Sequence, residues 1–429
     1  MIDKAEDIEY YLEKAFQQSI EGRPGPVWID IPADIQNALI DVSKLRKYKI
    51  IKKDNQDIDP SINLIIKKLK SSKKPVIHLG GGARLSKSQK LLKKFFQKNK
   101  IPFILTWNAD DLIGSKHPLY SGKAGAFGER GSNFIIQNCD FYLSIGTRLP
   151  YMVTGYNAND FAKKAKFKAM VDIDKNELKK NDMKLDVTIQ SDASIFIESF
   201  LNKLKNYRSN SNWLKYCKDV RLKYPTLIPL MKNEKKYVNS YYFIKKLSQY
   251  STKNDSIITD MGFSFTSSHQ AMDLKEGQIF LTNSGHAPMG WGLPASIGTY
   301  YANKKNSKKS NLICLSGEGG FQMNIQELAT IMHNKIPIKI FIFNNGGYLT
   351  IKQTQQLGFN GRIMGADKSS GLSFPDYRKI SHSHQMEYFC IKNHLDLDKN
   401  IKNIMNHKKP LLCELIMNPN EEQIPKAIN

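Results

Sequence analysis

Residues 315–328 read LSGEGGFQMNIQEL. An apolar run stops at Gly317-Glu318-Gly319-Gly320, and apolar residues then recur at helical spacing. Glycines let backbone N–H groups approach a ligand closely. A helix starting near Phe321 would point its positive end at the same place. The next apolar run, IKIFIF at 338–343, ends in Asn344-Asn345-Gly346-Gly347. A third run, SIITD at 256–260, leads into Met261-Gly262-Phe263-Ser264. Any one of these turns alone would read as an ordinary strand-to-helix connection. Together they put the oxygens of Glu318 and Asn345 on neighbouring strand ends. A divalent cation bridging phosphate oxygens takes such hard ligands.

Working outward, the chain alternates short apolar runs with helical patterns. Strands are expected at 75–79 (PVIHL), 102–107, 140–145, 169–174, 256–260, 311–315, 338–343 and 411–417. Helices are expected at 86–99, 194–204, 241–249 and 321–333. The alternation predicts an α/β protein with two doubly wound parallel-sheet domains. Ahead of them, residues 7–20 form an amphipathic helix, and 27–31, after the turn GRPGP, form a buried strand. These two pieces are too little for a domain and read as the remnant of a third. The expected division is a remnant over 1–41, a linker over 42–60, a central domain over 61–205, a connector over 206–235 and a last domain over 236–429.

Bulk properties narrow the function. The 429 residues allow two or three domains. No run of 18 or more apolar residues suggests a membrane span, and the N-terminus lacks an apolar signal core. Five scattered cysteines without metal spacing fit reduced thiols in a cytoplasmic enzyme. The net charge of +24 comes mostly from lysines spread over the chain, including Lys304-Lys305 and Lys308-Lys309. With no arginine stripe, zinc finger or aromatic platform, it reads as a solvated surface and not as a nucleic-acid interface.

The segment from Gly317 to Asn345 resembles the diphosphate-binding motif of thiamine-diphosphate-dependent enzymes, Gly-Asp-Gly followed some two dozen residues later by Asn-Asn. Phe321-Gln322-Met323, Gln326-Glu327-Leu328 and Gly347-Tyr348 extend the likeness. Residues 285–295 (GHAPMGWGLPA) resemble the corresponding segment of acetolactate synthase large subunits. GRPGPVWIDIPADIQ resembles the end of their pyrimidine-binding domain. Gly80-Gly81-Gly82-Ala83, Gly146-Thr147-Arg148-Leu149 and Asp172-Ile173-Asp174 resemble their central domain.

The resemblance implies that Glu318, Asn345 and the Gly347 carbonyl coordinate Mg²⁺. It implies that Gly262, Phe263, Ser264, Gly317, Gly319, Gly320 and Tyr348 surround thiamine diphosphate, and that Met289 bends the cofactor into a V. It further implies decarboxylation of a pyruvate-like 2-oxo acid with carboligation, as in branched-chain amino acid biosynthesis. A site shared across a dimer follows as well.

Three departures stand out. The glutamate that activates the aminopyrimidine has no counterpart, since Glu6, Glu9 and Glu13 read as a solvated helix face. The catalytic group is therefore unassigned, and a partner chain supplying a pyrimidine-binding domain is expected. Glu318 stands where aspartate is usual. Leu149-Pro150-Tyr151-Met152 replaces the acidic and basic residues that usually follow Arg148 in FAD-carrying relatives, and Thr354 replaces a tryptophan. The alternatives are another 2-oxo acid decarboxylase or carboligase, or a non-catalytic subunit that grips only the diphosphate.

Overall fold

The computed structural model describes residues 1–50, 57–305, 310–395 and 397–425. Residues 51–56 of the expected linker and the Lys308-Lys309 pair lie outside the described residues.

Two six-stranded sheets form, and every strand pair in them is parallel. The first contains β1 (Pro75–Leu79), β2 (Phe103–Leu105), β3 (Tyr120–Lys123), β4 (Phe141–Ile145), β5 (Phe167–Asp172) and β6 (Val187–Gln190), in the order β3-β2-β1-β4-β5-β6. The second contains β7 (Ser256–Thr259), β8 (Ile279–Leu281), β9 (Leu312–Gly317), β10 (Ile338–Asn344), β11 (Glu387–Ile391) and β12 (Leu411–Ile416), in the order β11-β12-β10-β9-β7-β8. The α/β class expected from the sequence is the class observed.

Parallel sheets carry helices on both faces, so their central strands read as continuous apolar runs. β1, β4 and β5 are buried at every position. Ile77, Leu79 and Leu143 face the helices Asp59–Ser71, Gln89–Lys98 and Ala193–Lys203, while Val76, Tyr142 and Met170 face Arg130–Asn138 and Ser211–Lys223. In the second sheet Ile313, Phe341 and Phe343 pack one way, and Cys314, Ile340 and Ile342 the other. Each fully buried Phe or Ile side chain stabilises by about 1.5–3 kcal/mol.

Several expectations change. Residues 27–31 form no strand. Trp28 is 92% exposed, and although Ile2 N–H donates to the Asp30 carbonyl at 2.9 Å, no ladder develops. An apolar run becomes a strand only with a neighbour to complete its hydrogen bonds. The expected helix 321–333 is two helices, Glu318–Met323 and Glu327–His333. Between them Asn324 leaves helical geometry, and its side-chain amide donates to the Gly290 carbonyl at 2.8 Å. Residues 206–235 contain the helix Ser211–Lys223, whose Trp213 is buried and donates to the Pro75 carbonyl at 2.9 Å. β3, β6, β8 and β11 are short additions that the sequence reading missed.

The two sheets are joined through buried polar contacts. His269, on the helix Phe263–Ala271, lies 2.6 Å from Asp110 of the first unit, and Lys123 of β3 reaches the same carboxylate at 3.6 Å. All three side chains are buried. Burial holds the His269 imidazole below its usual value despite Asp110, and its Nδ1 faces the Asp110 carboxylate. Asp111 accepts from Arg84 and from the Phe280 N–H.

Residues 418–425 close over the second unit. The Glu421 carboxylate is buried at the start of the helix Ser240–Tyr250, where Oε1 accepts from Ser240 N–H (3.0 Å), Ser240 Oγ (2.6 Å) and Asn239 Nδ2 (3.0 Å). Burial pushes this carboxyl up to about 7. A raised folded-state value means that the folded chain holds the proton more tightly than the unfolded one. The associated stability is complete below the ordinary Glu range and disappears as pH climbs through 7. Urea melts at pH 5 and pH 8 should show wild type losing on the order of 1–3 kcal/mol more than Glu421→Gln. Equal losses in the two proteins would remove Glu421 as the source.

Candidate cofactor site

The carboxyl ends of β7, β9 and β10 converge. In open parallel sheets this edge, where the strand order reverses, is where ligands sit. After β7, Gly262 adopts φ +84°, a conformation suited to glycine, and opens the helix Phe263–Ala271. After β9, Glu318 begins its helix directly. After β10, Gly346 at φ +75° turns the chain so that Gly347 N–H faces back towards β9.

Glu318 reaches across that gap. Its Oε1 accepts from Asn345 N–H at 3.0 Å and from Gly347 N–H at 2.9 Å. The side chain is 1% exposed, and burial pushes its carboxyl up to about 7 against the pull of these donors. Beside it Asn345 Oδ1 is buried and has no hydrogen-bond partner. An orphaned buried acceptor is costly, on the order of 1–3 kcal/mol, unless something binds it. Among the described residues no cluster of three His, Cys, Asp or Glu side chains occurs. A carboxylate, an amide oxygen and a carbonyl escape that pattern, yet they are the hard donors Mg²⁺ accepts.

All the residues expected at the cofactor line one cleft: Gly262, Phe263 and Ser264, then Met289, then Gly317 to Gly320, and finally Asn345, Gly347 and Tyr348. A Cβ on Gly319 would lie 1.9 Å from the Tyr348 ring and 2.9 Å from Met289 Cε, so this glycine leaves the cleft its depth.

Residues 62–200 match the family described as thiamine pyrophosphate enzyme, central domain, and residues 260–415 the thiamine pyrophosphate enzyme, C-terminal TPP binding domain. The acetolactate synthase large subunit of Cyanidium caldarium is 32% identical, over 98% of this chain and 71% of its own length. The probable acetolactate synthase large subunit of Methanocaldococcus jannaschii is 31% identical, over 98% and 71%. The Escherichia coli isozyme 1 large subunit is 28% identical, over 99% and 73%. The chain belongs to the acetolactate synthase large-subunit family of thiamine pyrophosphate enzymes. It is thus a thiamine-diphosphate-dependent enzyme by family.

Membership in this family makes residues missed in the sequence worth naming. Asp260 and Ser316 sit under the cleft, hydrogen-bonded to each other at 2.9 Å. Glu414 on β12 accepts from Asn344 Nδ2 at 2.5 Å and from the Tyr388 hydroxyl, while Asn344 Oδ1 accepts from Gly346 N–H at 3.1 Å. This chain of bonds shapes the turn that carries Asn345. The available signal was an acid at a strand end, at Asp260, and an acid within an apolar strand, at Glu414.

A second and larger cavity, about 660 Å³, opens where β1 and β4 end. Gly81, Gly82, Thr147, Arg148 and Asp172 line it, with Arg23 on one side and Ser284 on the other. Burial pushes the Asp172 carboxyl up. Among the described residues no helix is long and apolar enough to cross a membrane.

Proposed function

We propose that the chain binds thiamine diphosphate through Mg²⁺ held by Glu318, the Asn345 side chain and the Gly347 carbonyl, and serves an acetolactate-synthase-like decarboxylation of a pyruvate-like 2-oxo acid with carboligation. The observation that carries this is the buried, unpartnered Asn345 Oδ1 beside the buried Glu318 carboxylate. When bound, the cofactor supplies the nucleophilic carbon and the electron sink for loss of CO₂. The chain's own part is positional. Gly262, Gly319 and Gly320 would admit the diphosphate, and Met289 and Tyr348, which line the same cleft, would border the ring system. Thr350 and Ile351 stand at its mouth and would meet the substrate.

Glu318 is the only acid among the described residues lining this cleft, and its carboxylate is committed to the metal. The group that activates the aminopyrimidine is therefore not among the residues that line this cleft, and a pyrimidine-binding domain, on this or a partner chain, would supply it. Leu149-Pro150-Tyr151-Met152 depart from the FAD-carrying pattern, so the larger cavity, lined by Arg148 and Asp172, supports FAD by its size alone. The division into a central domain over 61–205 and a cofactor domain over 236–429 accompanies this reading.

Isothermal titration of the purified chain is expected to give thiamine diphosphate binding that requires Mg²⁺, with no pyruvate turnover from the chain alone. Absence of Mg²⁺-dependent binding would overturn the site, and robust turnover would overturn the need for an outside group.

A further inference from the structure

The loop carrying Met289 is held on one side by a carboxylate. Asp260 follows β7 and is 1% exposed. Its Oδ1 and Oδ2 each lie 3.1 Å from Gly290 N–H, the peptide nitrogen next to Met289. Oδ1 also accepts from Met261 N–H at 2.9 Å, and Oδ2 from Ser316 Oγ at 2.9 Å. One side chain thereby joins three strand-end segments that come together only in the fold. Gly320 packs directly on it, since a Cβ there would sit 2.4 Å from Oδ2. The other side of the same loop is also fixed: the Gly290 carbonyl accepts from Asn324 Nδ2 at 2.8 Å. Gly290 adopts φ +88°, a conformation that a side chain would strain. The N–H and C=O of one left-handed residue are clamped by two side chains, one before and one after the diphosphate turn.

We propose that Asp260 is a positioning residue that presses Met289 into the cleft, with Asn324 as its counterpart, so that thiamine diphosphate is bound in its bent form. The role rests on the proposed cofactor site. It predicts a specific asymmetry. Inorganic pyrophosphate reaches only the diphosphate cradle and is blind to Met289, whereas thiamine diphosphate must fold over it. Releasing the loop should weaken the whole cofactor and spare its tail.

The test is isothermal titration of each ligand with Mg²⁺ into wild type, Asp260→Asn, Asn324→Ala and Met289→Ala. In all three variants thiamine diphosphate affinity is expected to fall by about tenfold or more, as for supporting partners of bound groups, with pyrophosphate affinity within about threefold of wild type. Thermal melts accompany each protein. If Asp260→Asn proves unfolded, Asn324→Ala, which leaves the carboxylate in place, decides the matter. Equal losses for both ligands, or no loss for either, would overturn the positioning role. A wild-type chain that binds neither ligand overturns the cofactor site itself, and this role with it. A wild type that binds both, beside variants without the asymmetry, overturns this role alone.

Discussion

Glu318→Ala is expected to abolish Mg²⁺-dependent binding of thiamine diphosphate, lowering affinity by at least about 100-fold, or roughly 2.7 kcal/mol, in isothermal titration. Two losses combine. The site forfeits the only carboxylate among the described residues lining it, and the Asn345 and Gly347 N–H groups lose their acceptor. Each buried N–H left unpaired costs about 1–3 kcal/mol, so this variant should also melt earlier. Glu318→Gln separates the two effects. Its amide oxygen can still accept from both N–H groups, so the fold should hold while metal binding goes with the charge. Mg²⁺ binding to Glu318→Gln at wild-type strength would remove Glu318 from the ligand set. The aspartate variant tests the unusual length of this side chain. It is shorter by one methylene, roughly 1.5 Å, and would not reach as far into the neighbouring turn. Its carboxylate would then be free of the two N–H donors that now share Oε1, so tighter Mg²⁺ binding is expected. Equal or weaker binding would mean that Glu318 suits its metal as it stands.

The second large effect falls on stability. Gly80→Ala should destabilise the chain by about 3 kcal/mol or more, the upper range for inserting atoms into packed structure. An added Cβ would lie 2.3 Å from the Gly146 carbonyl oxygen and 2.4 Å from Thr147 Cβ. The segments cannot part easily. Gly80 N–H donates to the Ile145 carbonyl and Gly82 N–H to that of Gly146, at 3.0 and 2.8 Å. Gly146 itself has φ +62°. The matching control is Gly298→Ala, in the helix Gly292–Lys305, where a Cβ would meet nothing within 4 Å. That change should be neutral or stabilising by up to about 1 kcal/mol, from helix propensity. Differential scanning calorimetry should separate the pair by roughly 4 °C, and indistinguishable melting temperatures would contradict the packing seen here.

How much of this was legible in the sequence depends on range. Strands such as β1, β4, β9 and β10 announce themselves because burial on both faces makes them continuous apolar runs. The turns at 317–320 and 344–347 were readable for a local reason, since their glycines and ligands are adjacent in the chain. The short additions were not. β3 contains a Gly and a Lys, β6 is partly exposed, and β8 has three residues. The opposite error at 27–31 has the same root. VWIDI has strand composition, but pairing is decided by what lies beside it. Asp260 is the clearest case of a residue hidden by distance. Its quoted position at a strand end gave no role, because its decisive donors, Gly290 and Ser316, are 30 and 56 residues away. Glu318 is legible as a ligand from its turn, while its reach to the opposite turn depends on a contact 27 residues away in the chain.

The buried contact of His269 with Asp110 and Lys123 bears on how freely the two sheets can be exchanged. A chimera that kept the first unit and took its second from a relative lacking that imidazole would bury the Asp110–Lys123 pair without the ring that Asp110 now faces. The Asp110–Lys123 pair would remain, but the Asp110 carboxylate would lose its short contact to the ring, a loss of about 1–3 kcal/mol. The two units are therefore matched parts, and a graft between family members has to carry residues 110, 123 and 269 together.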